Sequence, residues 1–102
     1  MKIPKQVTVG KTKIKIDQPV SLMVDKTGCR GSFDRSDNSI DVAKKDVRGN
    51  SYSAGERSET FWHETTHAIL AAMGRHKLNN DEKFVTEFAK LLDEAVHTAT
   101  FD

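Results

Sequence analysis

Residues 59–74 read ETFWHETTHAILAAMG, and the fold turns on whether this stretch is a helix that presents His63 and His67 on one face. Apolar Trp62, Ile69, Leu70 and Met73 run beside the histidines at helical spacing. Upstream, Ser53 and Glu56 stand at the spacing of a capping box, so the helix is expected to begin at Ala54 or soon after. Gly74 is its natural stop, because glycine readily takes the left-handed conformation that ends helices. Histidines at i and i+4 project about one turn apart, which lets both imidazoles reach a single metal ion. Glu64 lies about 100° around the helix from His63, at the edge of such a site, where its carboxylate can take a proton from a water that zinc has acidified. The plain alternative is a pair of half-exposed histidines beside an apolar stripe.

Upstream of residue 53 the chain reads as strands and turns. In KQVTVGKTKIKID, Val7 and Val9 alternate with polar residues, Gly10 and Lys11 can form a tight turn, and Ile14 and Ile16 alternate with Lys13 and Lys15. This predicts a hairpin with one apolar face, its lysines solvated on the other, where they also discourage edge-to-edge aggregation. PVSLMVD predicts a further short strand. The polar cluster Ser36, Asp37 and Asn38 predicts a turn before a strand over 39–43 that carries Ile40 and Val42. Downstream, KLNND reads as a connection, and Phe84, Val85, Phe88, Ala89, Leu92 and Val96 recur at helical spacing, so a second helix is expected from about 80 to 97.

A chain of 102 residues can bury one core, and a single domain over 1–102 is expected. Sixteen Lys and Arg against fifteen Asp and Glu leave a net charge of +1, which implies no general attraction to nucleic acid or to an anionic membrane surface. No apolar run reaches the length of a signal peptide or a membrane span, so a cytoplasmic protein is expected. Cys29 stands alone in KTGCRGSF, which allows no internal disulfide and reads as a free structural thiol.

HETTH, at residues 63–67, resembles the zincin metallopeptidases, in which H-E-x-x-H supplies two zinc ligands and the general base. EKFVTEFAKLL, at residues 82–92, is similar to the segment that follows the zinc helix in ImmA/IrrE-like metallopeptidases of phages and mobile elements, where a glutamate precedes a Phe-Ala pair by six residues. Glu82 stands six before Phe88-Ala89. The opening residues and GCRGSFDRSDNSIDV also resemble small phage-borne members of that group, though only HETTH is a specific motif. The resemblance implies a minimal α+β zincin-like domain: a small, mostly antiparallel sheet packed on a zinc helix, with a second helix completing the site. It further implies zinc-dependent hydrolysis of a protein or peptide substrate in a bacterial or phage-infected cell, with Zn2+ held by His63 and His67 and Glu64 as base. By the same analogy, the strand over 39–43 is expected beside the cleft, pairing with an extended substrate.

Catalytic zinc needs a third protein ligand and an open position. The family register selects Glu82, which also lies near the edge of the stripe of Val85, Ala89 and Val96. If the second helix returns directly antiparallel to the first, the residue level with His67 lies near 87 instead, which favours Glu87. Glu87, however, points away from the apolar stripe and reads as a surface carboxylate. Asp81 is a third contender. Choosing Glu82 requires that the first helix end early or that the helices cross steeply. His76 and His97 read as helix-terminal histidines favoured by the macrodipole. Tyr52 reads as a ring packed in the loop, with a phenol that could instead stabilise an oxyanion. The rival to catalysis is a zinc-stabilised module of phage or mobile-element origin that grips another protein without cutting it; a closed four-ligand site would mark it.

Overall fold

The computed structural model describes residues 2–101 and has an α+β fold: a small mixed sheet and three helices. Strands β1 (Gln6–Val9) and β2 (Thr12–Asp17) form the expected antiparallel hairpin. Gly10 and Lys11 at its tip both have positive φ, 55° and 69°, the turn geometry that matches the twist of paired strands. Ile14 and Ile16 point inward and are buried, whereas Lys13 and Lys15 between them are exposed. A second, isolated hairpin joins β3 (Met23–Val24) to β4 (Thr27–Gly28). Strands β5 (Gly31–Asp34) and β6 (Ser39–Val42) then flank a turn held by the Asp34 carboxylate, which accepts from the Ser36 and Asp37 amides.

The four-stranded sheet runs β1-β2-β6-β5, with β2 and β6 parallel and the outer pairings antiparallel. Two expectations change here. Of PVSLMVD only Met23 and Val24 are in a strand, and that strand lies outside the main sheet. The carbonyls of Pro19 and Val20 accept instead from the amides of Lys44 and Lys45, so the segment is tied to the chain leaving β6. The strand over 39–43 is also not the one that can receive a substrate. As β6 it is bonded to β2 on one side and β5 on the other, and the edge belongs to β5.

Helix α1 (Ala54–Met73) starts at a complete capping box: the Ser53 side chain accepts from the Glu56 amide, and the Glu56 carboxylate accepts from the Ser53 amide. It ends at Gly74, φ 71°, where Gly74 N–H bonds Ala71 O and Arg75 N–H bonds Leu70 O, a Schellman closure. Phe61 and Ala68 pack on Ile14, Ile16, Ile40 and Val42 to form the core, with Trp62 against its edge. The connection read in KLNND contains a one-turn helix, α2 (His76–Asn79), after which α3 runs from Glu82 to Thr98.

Helix α3 packs on α1 and α2 and not on the sheet, so α1 is a middle layer covered on both sides. Val85 and Ala89 are the buried apolar residues of α3; Phe88, Leu91 and Val96 remain exposed. The apolar stripe read from the sequence is therefore only partly the contact face. On the α1 side, buried Ser58 donates to Asp93 at 2.5 Å. Among the described residues, no helix is long and apolar enough to cross a membrane.

Phe61 is 2% exposed and lies between α1 and the sheet. Phe61→Ala is expected to cost roughly 3–5 kcal/mol, because the lost burial is compounded by the cavity left behind. Urea unfolding of the variant against the parent checks this.

Candidate metal centre

Residues from α1 and α3 converge at one point. His63 and His67, one turn apart on α1, both direct Nε2 at the Glu82 carboxylate, at 3.2 Å to Oε2 and 3.0 Å to Oε1. The potential ligand atoms of the three residues all lie within 4.8 Å of one another, and among the described residues this is the cluster of histidine, cysteine and acidic groups close enough to share an ion. The imidazoles are mostly covered, at 23% and 17% exposure, while the Glu82 side chain is 66% exposed. Burial pushes the His63 imidazole below its ordinary pKa, against the opposing pull of the Glu82 carboxylate. Each imidazole Nε2 can meet the Glu82 carboxylate either by donating its own proton or, with that proton on Nδ1, by sharing a cation with it.

Ligands held about 2 Å from a tetrahedral zinc stand about 3.3 Å apart. The two distances from Glu82 to the histidines are close to this, and two imidazoles with one carboxylate are a donor set that zinc accepts. The residues fit the ion.

Glu82 reaches His67 because of the path between the helices. Helix α1 does not end early; it continues six residues past His67 to Met73. Of the two routes expected for Glu82, an early end to α1 or a steep crossing, the early end is not taken, and residues 75–81 do not form a tight turn at the helix tip. Asn79, at the end of α2, already stands beside His67, its Oδ1 2.5 Å from His67 Nδ1. The chain has thus returned along α1 before α3 begins, and the first turn of α3 arrives level with the histidines. Glu87, one helical turn and more downstream, lines a shallow depression with Glu82, Lys83 and Lys90 but is outside the three-residue cluster. Asp81 caps α3, its carboxylate accepting from the Phe84 amide.

Glu64 lies on the adjoining side of α1, 9% exposed. Burial pushes its carboxyl up to about 7; the Glu82 charge adds to the rise and His67 opposes it. Facing it is the start of β5. A Cβ on Gly31 would stand 2.5 Å from Thr60 Cγ2, 2.8 Å from the Asp41 carbonyl and 3.2 Å from Glu64 Cγ. Only glycine lets the sheet edge lie this close to α1, and the edge is thereby brought to Glu64. Nothing in the local pattern around Gly31 marks this; the sequence shows the glycine but not what it approaches.

Two openings flank Gly31 and Glu64. The larger, about 610 Å³, is lined on one side by Phe33 and Arg35 of the sheet edge and on the other by His67, Asn79 and Glu82. The smaller, about 270 Å³, includes Arg30, His63, Thr60 and Thr86. Cys29 also lines the larger opening but is outside the three-residue cluster; burial, reinforced by the Glu64 and Asp41 charges, raises its pKa and favours the thiol. Tyr52 lines neither opening; its ring lies 5.4 Å from the Arg30 guanidinium, which borders the smaller one. His76 begins α2, and His97 contacts Asp93 within α3.

Gly31→Ala should destabilise the chain by roughly 1–3 kcal/mol through overpacking. Thr60→Ser, which removes the nearest atom, should restore part of that loss, as read by the unfolding midpoints of the single and double variants. A second expectation concerns pH. In the metal-free chain the Glu64 carboxyl titrates near 7 when folded and near its ordinary 4.5 when unfolded. The folded state therefore holds this proton longer, and the associated stability, present below pH 4.5, is lost as pH rises toward 7. Glu64→Gln cannot lose it, so metal-free Glu64→Gln should gain on the parent by on the order of 3 kcal/mol between pH 4.5 and 7.5, since one pKa unit is worth about 1.4 kcal/mol. Parallel unfolding curves across that range check the sign.

Comparison of the chain with protein-family models, with curated proteins and with solved structures finds no match.

Proposed function

We propose that the chain is a zinc-dependent peptidase, with His63, His67 and Glu82 as the metal ligands and Glu64 as general base. The observation that carries this reading is the convergence of two imidazole nitrogens and a carboxylate beside a second, buried carboxylate, on an open cleft. Bound zinc would supply Lewis acidity, both to a water and to the scissile carbonyl. Glu64 takes the proton from the attacking water on its carboxylate and hands it to the departing amine nitrogen. Gly31 lets the β5 edge lie against this carboxyl, which is 9% exposed and borders both openings.

The substrate in this reading is a protein or peptide in extended form. The free edge of β5 borders both openings at Gly31, so an added backbone strand would pass directly over Glu64. Arg35, at the rim of the larger opening, would favour a substrate acid there. The rival reading, a zinc-stabilised module that binds a protein without cutting it, calls for a closed four-ligand site. Three clustered side chains and an open side favour hydrolysis over it. The function proposed involves no nucleic acid and no membrane.

Protein purified without added metal should carry one zinc per chain by mass spectrometry. Glu64→Gln should retain that zinc yet lose hydrolysis by roughly 10²–10⁴-fold, the usual contribution of a general base. Full metal-dependent activity in Glu64→Gln would overturn the assignment of the base, and a chain that binds no zinc even when zinc is supplied would overturn the metal centre.

A further inference from the structure

We propose that Asn79 is the positioning residue for His67: its side-chain carbonyl holds the proton on Nδ1 and so keeps Nε2, the nitrogen facing Glu82, as the lone-pair donor to the metal. The inference rests on the metal-centre reading above and adds to it a residue outside the H-E-x-x-H pattern.

The contact has a definite polarity. Asn79 Oδ1 carries no hydrogen, so its 2.5 Å approach to His67 Nδ1 is attractive only when Nδ1 bears one. With the amide placed so that Oδ1 faces the ring, the contact sets the proton on Nδ1. A neutral imidazole protonated on Nδ1 is unprotonated on Nε2. That atom is the one 3.0 Å from Glu82 Oε1.

Without a partner on Nδ1, the ring could take the opposite tautomer, with Nε2 donating to the Glu82 carboxylate and its lone pair turned away from the centre. Asn79 disfavours that tautomer, and the ring is ready to ligate before any ion arrives. Among the described residues His63 has its polar contact with Glu82 only, so the effect is specific to one of the two histidines. The geometry also gives α2 a purpose. Its single turn, closed by Asn79 N–H to Arg75 O and Asn80 N–H to His76 O, delivers the amide to the outer side of His67 as the chain returns toward α3. An amide, unlike a carboxylate at the same place, adds no charge; the ion keeps more of its positive field for the substrate.

The test compares zinc affinity, by competition with a chromogenic chelator, for the unaltered chain, Asn79→Leu and Asn79→Asp, with unfolding midpoints of each metal-free protein alongside. Asn79→Leu, which has no acceptor, should bind zinc about 10-fold or more weakly, the usual effect of removing such a partner. Asn79→Asp, which keeps an acceptor and adds charge, should bind as tightly as the parent or more so. A purely structural role would make affinity follow the metal-free unfolding midpoints instead. Independently of any variant's folding, a long-range ¹H–¹⁵N spectrum of the zinc-loaded parent should show His67 metal-bound through Nε2 with a proton on Nδ1. Parental affinity in Asn79→Leu, or a His67 with no Nδ1 proton in the loaded parent, would overturn the role of Asn79 and leave the metal centre standing. Failure of the parent itself to bind zinc would overturn both.

Discussion

Helix α1 is packed on both sides, and the rest of the molecule is arranged around that constraint. One side carries Phe61 and Ala68 into the sheet; the other receives Val85 and Ala89 of α3. A helix buried this way has little surface left for polar groups, and a buried polar group costs stability unless it is bonded, as Thr65 Oγ1 and Trp62 Nε1 among the described residues are not. Thr60 and Thr66 bond back to carbonyls of their own helix, and Ser58 reaches Asp93. His63, Glu64 and His67 differ, because they lie along the seam where the sheet edge and α3 both approach. There they meet groups from other elements: Glu82 from α3, Asn79 from α2 and the bare backbone at Gly31 of β5.

The same seam explains the electrostatics. The buried Glu64 carboxyl and the half-buried His63 imidazole are both pushed toward their neutral forms, the first upward and the second downward. Neutral imidazoles are what a metal needs as ligands, and a carboxyl near neutrality suits a group that takes and returns a proton. The exposed Glu82 is the one acidic member of the three. Two covered nitrogens and one accessible carboxylate form a concave, one-sided arrangement, and the cleft opens on the remaining side.

Much of this was legible from residues 53–74. The capping box, the left-handed glycine and the 3.6-residue spacing are local devices, formed by groups within one or two turns of each other, so their pattern in the chain is their pattern in space. The lysine-lined first hairpin was readable for the same reason, with Gly10 and Lys11 at its tip. The segment before Asp25 was misread because its alternation resembles a strand, while its carbonyls are taken up by Lys44 and Lys45, some two dozen residues later.

The pattern of residues 53–74 places helix α1, with His63 and His67 one turn apart and Glu64 on the adjoining side, because one helix's own periodicity sets them. It left Glu82, Glu87 and Asp81 in competition, since which carboxylate arrives depends on how the chain returns from Gly74. The path of the chain between the helices selects among them. The single turn of α2 runs back along α1, so α3 begins level with His67 and Glu82 comes to the histidines. The edge position of β5, the closeness that Gly31 allows and the contact of Asn79 with His67 are likewise set by the tertiary structure. Each joins residues from separate elements, and no periodicity within one element encodes the distance between two.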